Sequence, residues 1–214
     1  TAGEYWIEEV GVPDGFQKAD DIKVTIKKGN ITSVDDEDNQ YISTTVTNKP
    51  ITGTLSIQKE IENDDFDKTL IDENTITQIE FSLIANEDII NPDDGTVLTA
   101  KGEVAKDLKG NKIGVMHLNA NGQATLRSIP LGKYTLVETY IPSSLQTNVE
   151  KNDVVITADK PVTDTYNIVN KPTEVAISKK AVTGDAELEG ATLQVIDSNN
   201  NVIDEWVSTS EQHI

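Results

Sequence analysis

The chain has 214 residues, a formal net charge of -19, no cysteine, 36% apolar residues and 5% aromatics. So negative a surface repels nucleic acid and anionic membranes, and Arg127, the single arginine, leaves little with which to grip phosphate. The length suits one large domain or two small ones.

In chain order, short runs of Val, Ile, Thr, Leu and Tyr alternate with Gly, Asn, Asp and Pro clusters, the pattern of an all-β chain built from antiparallel sandwiches. Strands are predicted at Ile22 to Ile26, Tyr41 to Thr47, Thr54 to Ile61, Gln78 to Ala85, Gly132 to Glu138, Asp153 to Thr157 and Asp164 to Val169. Hairpin turns are predicted at Asp93-Asp94-Gly95, Asn119-Ala120-Asn121-Gly122 and Ser198-Asn199-Asn200-Asn201. Asp64 to Ile76 reads as a short helix or an irregular loop. No apolar run reaches membrane-spanning length, and no signal peptide, sorting motif or hydrophobic tail is visible. The absence of cysteine excludes disulfides and leaves the compartment open.

Three phrases occur twice. Gly3-Glu4-Tyr5-Trp6-Ile7-Glu8-Glu9 matches Gly132-Lys133-Tyr134-Thr135-Leu136-Val137-Glu138, Val46-Thr47-Asn48-Lys49-Pro50 matches Ile168-Val169-Asn170-Lys171-Pro172, and Leu55-Ser56-Ile57-Gln58-Lys59 matches Val175-Ala176-Ile177-Ser178-Lys179. Strand side chains alternate faces, so phase decides which residue of each phrase shares the apolar row. Glu138 shares a face with Tyr134 and Leu136, which selects Glu9 over Glu8. Lys59 follows Leu55 and Ile57, Lys179 follows Val175 and Ile177, and Lys180 points outward. Asn170 follows Tyr166 and Ile168, and Asn48 follows Val46. A lysine, a carboxylate and an amide thus each end a core-facing row, unless the strands slip in phase and leave them as surface residues. Buried charge is costly unless paired or neutralised, so the favourable arrangement is for the three to meet.

Proline after each Asn-Lys pair stops the strand, which places boundaries near Pro50 to Gly53 and Pro172 to Glu174. One complete unit then spans 51-172. Residues 1-50 form a back half holding Glu9 and Asn48, and residues 173-214 form a front half holding Lys179. Either the halves are completed by neighbouring copies in an out-of-phase tandem array that continues past both ends, or they are parts of different domains.

Gly-x-Tyr-x-Leu-x-Glu followed by Pro142, or by Val12-Pro13-Asp14-Gly15-Phe16 in the first copy, resembles the signature of Cna-B-type (SpaA-like, prealbumin-like) domains. These build the stalks of Gram-positive adhesins and pili. Ile177-Ser178-Lys179 with Leu188-Glu189-Gly190-Ala191-Thr192-Leu193 and Asp204-Glu205-Trp206 resembles the opening of such a domain, so the likeness covers nearly the whole chain. The resemblance implies tandem immunoglobulin-like sandwiches and a spontaneous isopeptide bond, Lys59 to Asn170 with Glu138 as acid/base. It implies a second set in Lys179, Asn48 and Glu9. Chemistry agrees: burial disfavours ammonium and frees the amine to attack an amide, and a buried carboxylic acid can polarise that amide and relay protons. This is a single-turnover self-reaction needing no cofactor, and not enzyme catalysis.

Other groups have plainer readings. Asp35-Asp36-Glu37-Asp38 invites calcium but lacks the glycine and terminal glutamate of a helix-loop-helix site, so it reads as a solvated acidic loop, as do Asp64 to Asp67 and Asp93-Asp94. His117 and His213 have no metal-ligand or serine-nucleophile pattern around them. Trp6 and Trp206 read as covers at the core edge. The functional expectation is a cell-wall-attached, extracellular stalk or pilus segment whose partners are neighbouring domains or copies, with a host-matrix ligand at a distal tip. The alternative is a matrix-binding module acting through an exposed loop, Leu108 to His117 or Glu87 to Thr96. A hydrolase built on a carboxylate pair is the third class, and nothing in the sequence favours it.

Overall fold

A computed structural model describes residues 2–27, 33–34, 40–41, 43–62, 73–146 and 150–214. The acidic stretches Asp35 to Asp38 and Asp64 to Asp67 lie outside the described residues. Contacts divide the chain into two units, Thr1–Lys171 and Pro172–Ile214, taken here in turn.

The first unit begins with β1 (Gly3–Ile7), β2 (Phe16–Gln17), β3 (Ile22–Ile26), β4 (Ser33–Val34), β5 (Gln40–Tyr41) and β6 (Lys49–Pro50). Three antiparallel ribbons result: β1 with β3, β2 with β6, and β4 with β5. Of the strand predicted over Tyr41 to Thr47, only Tyr41 among the described residues belongs to a strand, and residues 43–48 are irregular. The reason is a missing ladder. A strand persists where its backbone groups find a partner. The matching residues 166–170 pair with the lysine-bearing strand Thr52–Ile61, and the described residues among 2–50 show no equivalent ladder.

The chain continues through β7 (Thr52–Ile61), α1 (Glu73–Gln78), β8 (Glu80–Ala85), β9 (Ile89–Ile90), β10 (Val97–Thr99), β11 (Val115–His117), β12 (Gln123–Pro130), β13 (Gly132–Tyr140), β14 (Asn152–Ile156) and β15 (Tyr166–Asn170). Two sheets dominate, in the orders β11-β8-β13-β14 and β12-β7-β15. Their inner faces supply one core, including Leu55, Ile57, Phe81, Leu83, Tyr134, Leu136, Val154, Ile156 and Ile168. Period-two alternation explains which residues these are. In β7, Gly53, Leu55, Ile57 and Lys59 are buried while Ser56, Gln58 and Glu60 are not. Fully burying one large side chain of this kind stabilises by roughly 1.5–3 kcal/mol. Among the described strands every ladder is antiparallel except one: β15 runs parallel to β7, with Ile168 opposite Lys59 and Asn170 opposite Ile61. The chain therefore enters this sandwich at one end of the sheet and leaves at the other.

Two further expectations change. The turn at Asn119 to Gly122 closes, with Gly122 N donating to Asn119 O at 2.9 Å. It makes no hairpin, because β11 pairs with β8 and β12 pairs with β7, so the turn arches from one sheet to the other. β12 itself is unanticipated. Its alternation is broken by a bulge between Leu126 and Ile129, where Ser128 adopts φ 61°. The turn at Asp93 to Gly95 does join an antiparallel pair, β9 and β10.

The second unit holds β16 (Thr192–Ile196) and β17 (Val202–Val207), antiparallel. Their turn is organised by Asp197, whose Oδ1 accepts from the backbone of Asn199 and Asn201, each at 2.8 Å. Residues 175–179 form no strand here; Ile177 makes a single bridge with His213. The tryptophans depart from their expected place over a core edge. Trp6 is 66% exposed, with the Lys23 ammonium 5.9 Å from its ring centre, and Trp206 stacks on His213 at 3.9 Å. Among the described residues no helix is long and apolar enough to cross a membrane.

Candidate self-linking site

Three core strands each deliver one functional group at the end of an apolar row. In β7 the row Leu55, Ile57 ends in Lys59, which is only 4% exposed. Its Nζ donates to the carbonyls of Glu60 at 2.9 Å and Ile168 at 3.1 Å, so the amine lies against the neighbouring strand β15. Burial pulls the lysine pKa down to about 8, with the charges of Glu138 and Glu60 pulling it back up. Relative to a free lysine, the neutral, nucleophilic fraction at neutral pH is roughly 300-fold larger.

In β13 the row Tyr134, Leu136 ends in half-buried Glu138. Pairing with β8 slips directly afterwards: Glu138 lies opposite Phe81 and Tyr140 opposite Glu80, leaving Thr139 as a bulged extra residue. Thr139 is fastened by its hydroxyl, which donates to Glu80 Oε1 at 2.7 Å. The glycine opening the phrase has a steric cause. Gly132 sits at φ 150°, and a Cβ there would lie 2.4 Å from Ile89 Cδ1. The tyrosine is anchored by its hydroxyl, which donates to Pro130 O at 2.9 Å, and burial holds its pKa far above the ordinary value.

Asn170 ends the row on β15 and is 2% exposed. Its Nδ2 donates to Glu138 Oε2 at 3.0 Å. Its Oδ1 is buried without a hydrogen-bond partner among the described residues. The structure thus gathers Lys59, Glu138 and Asn170 at one end of the core.

The second carboxylate and amide also meet. Asn48 Nδ2 lies 2.9 Å from Glu9 Oε1 and 2.8 Å from Oε2, and it donates as well to Gln17 O at 3.0 Å. The backbone of Ala19 adds a donor to Glu9 Oε2 at 2.8 Å. Glu8 instead takes the surface ammonium of Lys18 at 3.2 Å. The two copies also turn alike after the carboxylate, with Phe16 N donating to Pro13 O and Leu145 N to Pro142 O. Lys179 belongs to the second unit. There its backbone N–H donates to Glu187 Oε2 at 2.8 Å and its side chain is half-buried, whereas Lys180 is exposed.

One positioning residue escaped the sequence reading. Gly122, at φ 72°, presses on the lysine strand: its carbonyl accepts from Lys59 N at 2.7 Å, and a Cβ there would lie 2.5 Å from Lys59 O. The Asn121-Gly122 pair signalled a turn, but nothing in it indicated that the turn braces Lys59. Among the described residues no cluster of three or more His, Cys, Asp or Glu is placed to hold a metal ion. His117 approaches Glu80 at 3.8 Å on the surface.

Two packed sheets with parallel first and last strands define a prealbumin-like sandwich. A family model for the SpaA prealbumin-like fold domain matches residues 65–172, and the chain belongs to that family. No curated protein matches the sequence. Among solved structures, the Bacillus anthracis TIE protein is 19% identical over 98% of this chain and 33% of its own, with a TM-score of 0.51. BcpA, the major pilin subunit of Bacillus cereus, is 18% identical over 76% of this chain and 41% of its own, with a TM-score of 0.40. GBS52, the minor pilin of Streptococcus agalactiae, is 16% identical over 81% and 66%, with a TM-score of 0.41. The chain spans less than two thirds of each, and at these identities the likeness is one of fold.

Proposed function

We propose that this chain is a load-bearing segment of a Gram-positive surface stalk or pilus, extracellular and cell-wall-attached, which projects an adhesive tip. Residues 51–172 act as one complete domain locked by an isopeptide bond from Lys59 to Asn170, promoted by Glu138. Residues 1–50 are the closing half of a like domain and residues 173–214 the opening half. The observation that carries the reading is the buried Asn170 amide on the Glu138 carboxylate beside a desolvated Lys59.

The chemistry needs only these groups. Rotating the Asn170 amide turns its carbonyl oxygen onto a protonated Glu138, which polarises it. Neutral Lys59 attacks Cγ, the Nζ–Cγ bond forms, and Glu138 passes the surplus amine proton to the departing Nδ2. The Cγ–Nδ2 bond breaks and one ammonia leaves. Both side chains are consumed, so there is one turnover and no enzyme.

The strand arrangement gives the bond its mechanical meaning. Tension entering at residue 51 runs along β7 to Lys59, crosses to Asn170 and leaves at Lys171. The chain from residue 60 to 169 is bypassed. Loops suggested as matrix contacts are tied up internally: Asp107 accepts from the backbone of Lys109 and Asn111, and Asp94 from Thr96, which supports the structural reading over the binding module.

Single-molecule pulling tests this. Wild type should withhold the contour length of residues 60 to 169, several hundred ångströms at about 3.5 Å per residue, and Glu138→Ala should release it. Equal extension in both proteins overturns the proposal.

A further inference from the structure

Pairing between the first and last strands of the sandwich reaches beyond β15. Thr54 N donates to Pro161 O at 2.8 Å and Thr163 N donates to Thr54 O at 3.0 Å, a parallel bridge of Thr54 with Val162. One extra residue is taken up between Val162 and Tyr166, and the register then holds from Tyr166 opposite Ile57 to Asn170 opposite Ile61. At the exit Glu62 N donates to Asn170 O at 2.8 Å, and the Lys171 ammonium meets the Glu62 carboxylate at 3.1 Å. Parallel contact thus follows β7 from Thr54 to just past its end at Ile61. Gly53 makes the entry end possible, since a Cβ there would lie 2.7 Å from Pro161 O and 2.3 Å from Ile156 Cγ2.

The direction of load gives this length a use. Tension along the chain draws β7 back toward residue 51 and β15 forward toward residue 171. Parallel strands drawn from opposite ends must slide past each other, so the bonds between them are strained together and not one after another. Each bond is weak by itself, and shared loading makes the set strong. The same pull acts on the site. Ile168 is the residue opposite Lys59, so Asn170 already stands two residues ahead of it in the direction of pull. A further slip of two residues, about 6.6 Å, would carry the amide away from the amine.

We infer that residues 54–62 and 161–171 form a noncovalent shear clamp that bears end-to-end tension while the domain is unlinked. The clamp gives the sandwich mechanical strength before any bond forms, and it opposes the slip that parts Asn170 from Lys59. Once those two side chains are joined, tension crosses between them and the clamp is relieved. The relief rests on the proposed isopeptide link; the clamp does not.

Single-molecule pulling on the full chain tests this, with introduced cysteines as handles, since the sequence has none of its own. Lys49→Cys with Glu174→Cys loads the ladder in shear, whereas Lys49→Cys with Asp159→Cys opens it bond by bond from the Thr54 end. All three positions are exposed. In the unlinked Glu138→Ala protein, rupture is expected at higher force in the shear geometry, and Asn170→Ala supplies a second unlinked protein should the first fail to fold. Thr163→Pro removes the N–H given to Thr54 O, and much of the shear excess should be lost with it. In the linked wild type, Thr163→Pro should leave the shear response unchanged. Equal rupture forces in the two geometries, or a shear excess that Thr163→Pro leaves whole, overturn the clamp. A wild type that ruptures and extends like Glu138→Ala, with the difference between geometries intact, overturns the isopeptide link and leaves the clamp standing.

Discussion

The neighbourhood of Lys59 and that of Glu9 start from the same phrases and end in different states. Around Lys59, a carboxylate–amide contact sits at the end of a closed core, and burial has weakened the lysine's hold on its proton. Around Glu9, the same contact forms, but Tyr5 and Ile7 face outward and residues 43–48 stay irregular. The carboxylate–amide pair therefore forms without a closed core around it, although Glu9 and Asn48 lie 39 residues apart. What the described residues of the first segment do not show is a lysine strand like β7, which around Lys59 supplies a ladder partner and part of the core, and under the proposed function the nucleophile.

The largest test of that contrast prevents the bond proposed for the closed site. Glu138→Ala should lower unfolding stability by about 4 to 5 kcal/mol, the loop-closure value for roughly 100 enclosed residues, read by denaturant titration. An unchanged midpoint would mean that no link closes the loop.

Next comes pH, in Asn170→Ala, which cannot link. Lys59 has a pKa of about 8 in the fold against 10.5 for the free side chain, so between those values the unfolded chain binds more protons. Stability should therefore climb from pH 8 to 10.5, by up to about 3 kcal/mol, and be flat in this respect below 8. Wild type, its amine consumed, should lack the climb. A climb in both proteins would place its origin elsewhere.

Gly122→Ala forces an unfavourable φ and presses a methyl on the Lys59 carbonyl. A cost of about 1–3 kcal/mol and slower ammonia release are expected. Normal linking kinetics would remove Gly122 from its positioning role. The smallest effects distinguish neighbours: Glu9→Ala should shift the Asn48 side-chain amide resonances, whereas Glu8→Ala, which loses only an exposed pair with Lys18, should leave them in place.

Phase arguments located Lys59, Glu138 and Asn170 because each lies at the end of an unbroken period-two row. They failed at β12, where the bulge from Leu126 to Ile129 shifts the apolar positions out of step. They failed again at residues 43–47, whose composition favours a strand but which have no ladder partner among the described residues. Alternation reports which face of a strand is apolar and is silent on whether a neighbour arrives. For the same reason the arch at Asn119 to Gly122 looked like a hairpin: the dipeptide specifies a reversal and not the sheet to which the chain returns.

The central claim is covalent and has a direct readout in the peptide map of the folded, purified chain. Lys59 and Asn170 should be recovered in one branched peptide lighter by one ammonia, and Glu138→Ala or Asn170→Ala should restore two ordinary peptides. Separate, unmodified Lys59 and Asn170 peptides from the wild type would contradict the account.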